Sequence, residues 1–251
     1  MGALLGLLCC VLTAAPLVAE GPETFRALKL QGHQVRWRPP VDGGPRVVTY
    51  RVVTETVEAP GARNCRGLAR LDGLLANSAL APAAVKGEVA AAFAMWEAAA
   101  NIVFREAADG AAADILIGAQ VEPEGWAFAD VFFDAASPDA IKPISKALVC
   151  LNPARQWKVG FDGDLKSYDL RYTLAHEIGH AIGLDHPAGP NQIMGYRYEE
   201  RFRALQPGDI RGAVLLYGAP QPSAAIVAAR PEPGEGPRSV STPPLGRALG
   251  K

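Results

Sequence analysis

The chain has 251 residues, 49% of them hydrophobic and 20% charged, and its 25 basic and 26 acidic side chains give a formal net charge of −1. That balance is ordinary for a globular protein, and with no long basic or acidic block it excludes an electrostatic case for a nucleic-acid partner. The length suits one domain with extensions, or two small domains.

Leu4 to Val18 is apolar apart from Thr13, and the small Ala19 suits a cleavage position. Residues 1–19 therefore read as a signal peptide, too short to span a bilayer comfortably. No Lys or Arg follows Met1, so an uncleaved N-terminal anchor is the alternative. No other stretch is apolar enough to cross a membrane, and the mature chain is expected as a secreted or periplasmic monomer. Residues 20–45 form a lead-in rich in turn signals, Pro39-Pro40 and Asp42-Gly43-Gly44-Pro45, with a short strand at Gln34–Trp37.

Val47–Val57 is rich in β-branched residues and predicts a strand; 58–81 reads as irregular. Pro82–Ala100 predicts a helix, with Val85, Val89, Ala92, Phe93 and Trp96 recurring every three or four residues behind a first-turn proline. Strands are expected at Ile102–Glu106, Asp114–Gln120, within 125–134 and at Ala147–Leu151. A helix over Asp169–Ile182 ends at Gly183, and another covers Pro207–Leu216. Residues 219–251, rich in Pro, Ala, Gly and Ser, read as a disordered tail.

Cys9 and Cys10 leave with a signal peptide, so Cys65 and Cys150 remain. In an exported chain two cysteines point to one disulfide; two unrelated buried thiols are the alternative.

The chemistry concentrates in His176-Glu177-Ile178-Gly179-His180-Ala181-Ile182-Gly183-Leu184-Asp185-His186. Histidines at i and i+4 share a helix face and can grip one ion. Gly183 can end the helix in a left-handed turn and bring His186 round as a third ligand. Three nitrogens leave tetrahedral zinc an open position for water, the arrangement of a catalytic site. Glu177 is then placed to take that water's proton and pass it to a leaving amine. An exposed polar helix stripe is the alternative, but three of the four histidines fall within these eleven residues.

This segment resembles the extended zinc signature of the metzincin metallopeptidases. The resemblance makes Met194, in Ile193-Met194-Gly195-Tyr196, the Met-turn beneath the metal. The short spacing to Met194 and the ending Leu205-Gln206-Pro207-Gly208-Asp209-Ile210 through Tyr217-Gly218 are similar to the matrixins, the matrix metalloproteinase group and its bacterial relatives. It implies an α+β catalytic domain over 46–218, with a twisted five-stranded mixed sheet, three helices and a catalytic Zn2+. It also implies an extended polypeptide substrate laid along an edge strand near 125–133. Two roles stay open: Tyr196 supports the tetrahedral intermediate or merely packs in the wall, and Asp162 and Asp164 bind Ca2+ or form an exposed acidic turn. Departures are plain too. Pro187 follows His186, no Pro-Arg-Cys-Gly switch precedes the domain, and His33 alone is left for a second zinc. The expected function is a secreted zinc endopeptidase; a non-catalytic binding protein and a zinc hydrolase of non-peptide amides are the alternatives.

Overall fold

The computed structural model describes residues 25–221, so the signal-peptide reading of 1–19 and the tail beyond Gln221 lie outside the described residues. In chain order the elements are β1 (Arg26–Ala27), β2 (Lys29–Leu30), β3 (His33–Arg36), β4 (Arg46–Val52), β5 (Val57–Glu58), β6 (Gly67–Ala69), α1 (Asp72–Ser78), α2 (Pro82–Ala99), β7 (Ile102–Glu106), β8 (Ile115–Gln120), β9 (Ala127–Phe133), β10 (Lys142–Leu151), β11 (Trp157–Lys158), β12 (Tyr168–Asp169), α3 (Leu170–Ala181), β13 (Leu184–Asp185) and α4 (Pro207–Tyr217).

The frame is an α+β fold around a mixed sheet. β4 runs parallel to β7 and β8, β8 runs parallel to β10, and β9 closes antiparallel on β10. β8 is buried along its whole length, which is why its apolar run does not alternate. β9 is only partly buried and pairs with β10 alone among the described residues.

The counts differ from the expected five strands and three helices. Among the described residues the main sheet has nine strands, and there are four helices. Of the additional strands, β3 matches the short strand expected at Gln34–Trp37 to within a residue, while β2, β5 and β6 hold two or three residues each, too few for a two-residue period to register. The fourth helix, α1, lies in the stretch read as irregular; it spans seven residues and buries only Leu74, so it carries no repeating apolar face. The strand expected over 47–57 stops at Val52, and the polar Thr54-Glu55-Thr56 forms the break before β5.

Three contacts set the height and tilt of α3. Trp96 on α2 is fully buried and donates its indole N–H to the Ala175 carbonyl at 2.9 Å. Trp37 does the same to the Ala181 carbonyl at 3.0 Å, and the Tyr217 hydroxyl donates to the Ile182 carbonyl at 2.6 Å. The carbonyls of Ala181 and of the C-cap Ile182 are thus satisfied by long-range partners. At its start, Asp169 caps the helix by accepting from the Tyr172 N–H at 2.8 Å.

The segment read as a lead-in is woven into this frame. β1 pairs with β13, β3 pairs with β10, and Val35 and Trp37 are core residues. Gly183 sits at φ +103°, and any Cβ there would run into the Val35 carbonyl oxygen. Only glycine meets both conditions. On the other side of the sheet, a disulfide joins Cys65 to Cys150 with Cα atoms 5.7 Å apart. It is packed among Val53, Leu68, Leu116 and Leu148. Among the described residues no helix is long and apolar enough to cross a membrane.

Candidate metal centre

Helical spacing stacks His176 and His180 on one side of α3, and the Gly183 turn returns β13 so that His186 faces them. The three Nε2 atoms lie 3.0, 3.2 and 3.2 Å apart. Each of the first two rings is oriented from behind: His176 Nδ1 is 2.7 Å from the Ile193 carbonyl oxygen, and His180 Nδ1 is 2.8 Å from that of Leu184. A carbonyl only accepts, so both Nδ1 atoms carry the proton and both Nε2 lone pairs point inward. Lone pairs converging this closely repel unless a cation lies between them.

The donor set fits zinc. Tetrahedral Zn–N bonds of about 2.0–2.1 Å separate neighbouring ligand atoms by roughly 3.3 Å. Burial, reinforced by the neighbouring rings, drives the His180 pKa down to about 4 and that of His176 well below its usual value; burial lowers His186 as well. All three imidazoles are neutral at pH 7, as metal ligation requires. The fourth histidine, His33, lies on β3 outside the cluster.

Glu177 borders the same cleft and is only 7% exposed. Burial pushes its pKa up to about 8. Met194 is buried, and its side chain lies beside Gly179 of α3, next in sequence to His180. Tyr196 is 81% exposed, yet its ring is edge-on to His186 with centroids 5.2 Å apart. Asp162 and Asp164 are not brought to the histidines; they lie in the loop before α3, beside Lys158.

One residue of the centre, Asp209, entered the sequence reading only within the ending that starts at Leu205, with no part in the metal site. Its carboxylate is wholly buried and accepts from the N–H groups of Ile193 at 2.9 Å, Met194 at 3.0 Å and Gln206 at 2.8 Å. It holds the very turn whose Ile193 carbonyl orients His176. The available signal was the Gln206-Pro207-Gly208-Asp209 capping box. A second anchor of this region is Arg203, which reaches both Glu88 and the α3 cap Asp169 at 2.8 Å, while Arg171 also pairs with Glu88.

The cleft is lined by β9, by residues 28–31 and 61–64, by the exposed side of α3, and by residues 195–198. Part of its wall is a stack of rings. Trp126 lies 3.7 Å from Tyr168, and Tyr168 lies 4.0 Å from Tyr198.

A matrixin family model matches residues 74–218, more than half of the chain. The chain belongs to the matrixin family of metzincin-type zinc metalloproteases. It is 32% identical to human matrix metalloproteinase-15 over 144 residues, covering 51% of this chain and 21% of that protein. Human stromelysin-3 is 31% identical over 147 residues, with 55% of this chain and 28% of that protein covered. A probable matrix metalloproteinase 095L of Invertebrate iridescent virus 3 is 32% identical over 103 residues, covering 41% and 23% respectively. The chain thus spans about a quarter of the length of these curated relatives. The matched span of this matrixin holds α2 to α4 and the whole histidine cluster, and leaves β1 to β6 outside it.

Proposed function

We propose that this matrixin is a zinc-dependent endopeptidase that cleaves peptide bonds within extended polypeptide. One observation carries the reading. Three imidazole Nε2 atoms converge within 3.2 Å at an open cleft that also takes in Glu177. His176, His180 and His186 would hold the metal and leave one position open. The chemistry that zinc supplies in such a site is Lewis acidity, which polarises a carbonyl and lowers the pKa of water to about 7.

The remaining steps belong to this chain. Glu177 takes the proton of the attacking water and returns it to the leaving amine. Its burial favours the neutral acid, while a dication nearby favours the carboxylate. Glu177 is therefore a base only in the metal-loaded protein. Met194 supplies an apolar floor under the imidazoles, and the Tyr196 hydroxyl, on a ring beside His186, steadies the developing oxyanion. The substrate adds as a strand to the open edge of β9, where backbone bonding accepts many sequences. The apolar N-terminus and the Cys65–Cys150 disulfide favour a secreted or periplasmic protein that works in an oxidising compartment.

The test is digestion of casein by the zinc-loaded chain, alongside Glu177→Ala and a chelated sample. Cleavage should vanish in both controls, and zinc should restore it only to the chelated wild type. Intact casein together with an intact broad peptide library would sink the endopeptidase reading. Turnover of small amides alone would move the protein to the non-peptide hydrolases, and zinc and peptide binding without turnover would make it a binding protein.

A further inference from the structure

The loop before α3 carries Asp162 and Asp164, whose spacing resembles a calcium loop, but its donors already surround a positive charge. The Lys158 side chain is 12% exposed. Its ammonium is within hydrogen-bond reach of the Asp162 carboxylate, 2.6 Å from Glu200 Oε1 and 2.6 Å from the Asp164 carbonyl oxygen. An ammonium has three N–H donors, and here each has an acceptor. Calcium needs six to eight oxygens at roughly 2.3–2.6 Å, and at this point it would meet a fixed like charge at contact distance.

The consequence reaches the cleft through Glu200. Its Oε2 accepts from the N–H groups of Asp162 at 3.1 Å and Gly163 at 2.7 Å, which clamps the loop. Its Oε1 accepts from the Tyr198 hydroxyl at 2.8 Å, and that hydroxyl in turn accepts from the Asp169 N–H at 2.8 Å. Tyr198 is the last ring of the stack on the cleft wall. A chain of polar contacts thus runs from Lys158 through Glu200 to Tyr198.

We propose that Lys158 is the resident cation of this loop, standing where a divalent ion would otherwise be needed, and that it is a positioning residue for the Tyr198 wall of the cleft. The first half is independent of any catalytic reading; the second rests on the endopeptidase reading above.

The full zinc-loaded chain would be melted in calcium-free buffer and over a calcium titration, together with Lys158→Gln and Lys158→Arg. Wild type should melt at one temperature throughout. Lys158→Gln should melt several degrees lower and recover saturably with calcium, whereas Lys158→Arg stays near wild type without it. On a peptide substrate, Lys158→Gln should raise KM severalfold with little change in kcat, and calcium should reverse the rise. A saturable calcium-dependent rise in the wild-type melting temperature would overturn the proposal. So would a Lys158→Gln protein that melts and binds like wild type, or one destabilised but indifferent to calcium. If Lys158→Gln does not fold, the wild-type titration still decides the first half, and the KM of Lys158→Arg and Tyr198→Phe decides the second. If no peptide is cleaved at all, the endopeptidase reading fails while the melting series still stands.

Discussion

Replacing Asp209 with alanine removes a carboxylate that touches no substrate and no metal, yet both stability and zinc affinity should fall. Two buried backbone N–H groups, those of Ile193 and Met194, and the part-buried N–H of Gln206 lose their acceptor. An unpaired buried donor costs about 1–3 kcal/mol, so the two buried ones cost roughly 2–6 kcal/mol before relaxation, while the Gln206 N–H can turn to water. Part of this is offset, because burial raises the Asp209 pKa and its ionised form is itself penalised in the fold. The net loss should be about 2–4 kcal/mol, a large part of a domain stability of about 5–15 kcal/mol. The same turn carries the Ile193 carbonyl that orients His176, and losing such support typically weakens metal binding by about 10–100-fold. Urea unfolding of the metal-free chain reads the first quantity, and zinc competition with a fluorescent chelator reads the second. A loss under about 1 kcal/mol with unchanged zinc affinity would refute the argument, since two stranded buried donors cannot cost so little.

Other outcomes follow from the same contacts. Gly179→Ala should destabilise by about 1–3 kcal/mol by overpacking, because its Cβ would run into Met194 and come within 2.9 Å of Trp96. Helix propensity alone favours alanine by up to about 1 kcal/mol, so a raised melting temperature would show that the floor has room to yield. Removing the Cys65–Cys150 bridge, which spans 85 residues, should cost about 4–5 kcal/mol by loop entropy; urea unfolding of the double alanine variant measures it. In the metal-free Glu177→Gln variant, which removes the opposing titration of a carboxyl raised to about 8, stability should fall in acid. His180 has a folded pKa of about 4 against about 6.5 unfolded, so between those values the unfolded chain binds more protons. Stability is complete above about pH 6.5 and falls by up to roughly 3 kcal/mol as the pH drops toward 4. Urea midpoints that stay flat from pH 7 to 4.5 would contradict the buried neutral imidazole.

Much of the site was legible because its geometry is local. His176 and His180 are four residues apart on one helix, and the turn at Gly183 fixes the reach to His186, so residue type and spacing already define a three-nitrogen cluster. α2 and α4 were legible for a related reason: an apolar stripe and a first-turn proline are written into consecutive residues. β1, β2, β5 and β6 were not, because two or three residues cannot display a period and owe their pairing to the strands they join.

What holds the histidines in place was decided by the tertiary structure. Asp209 lies 15 and 16 residues from the N–H groups it binds in the Met194 turn, Trp37 caps α3 across 144 residues, and Lys158 meets Glu200 from 42 residues away. No periodicity records such partners. A buried polar group must find a mate wherever packing brings one within about 3 Å, and that distance is set by the fold and not by the order of residues along the chain.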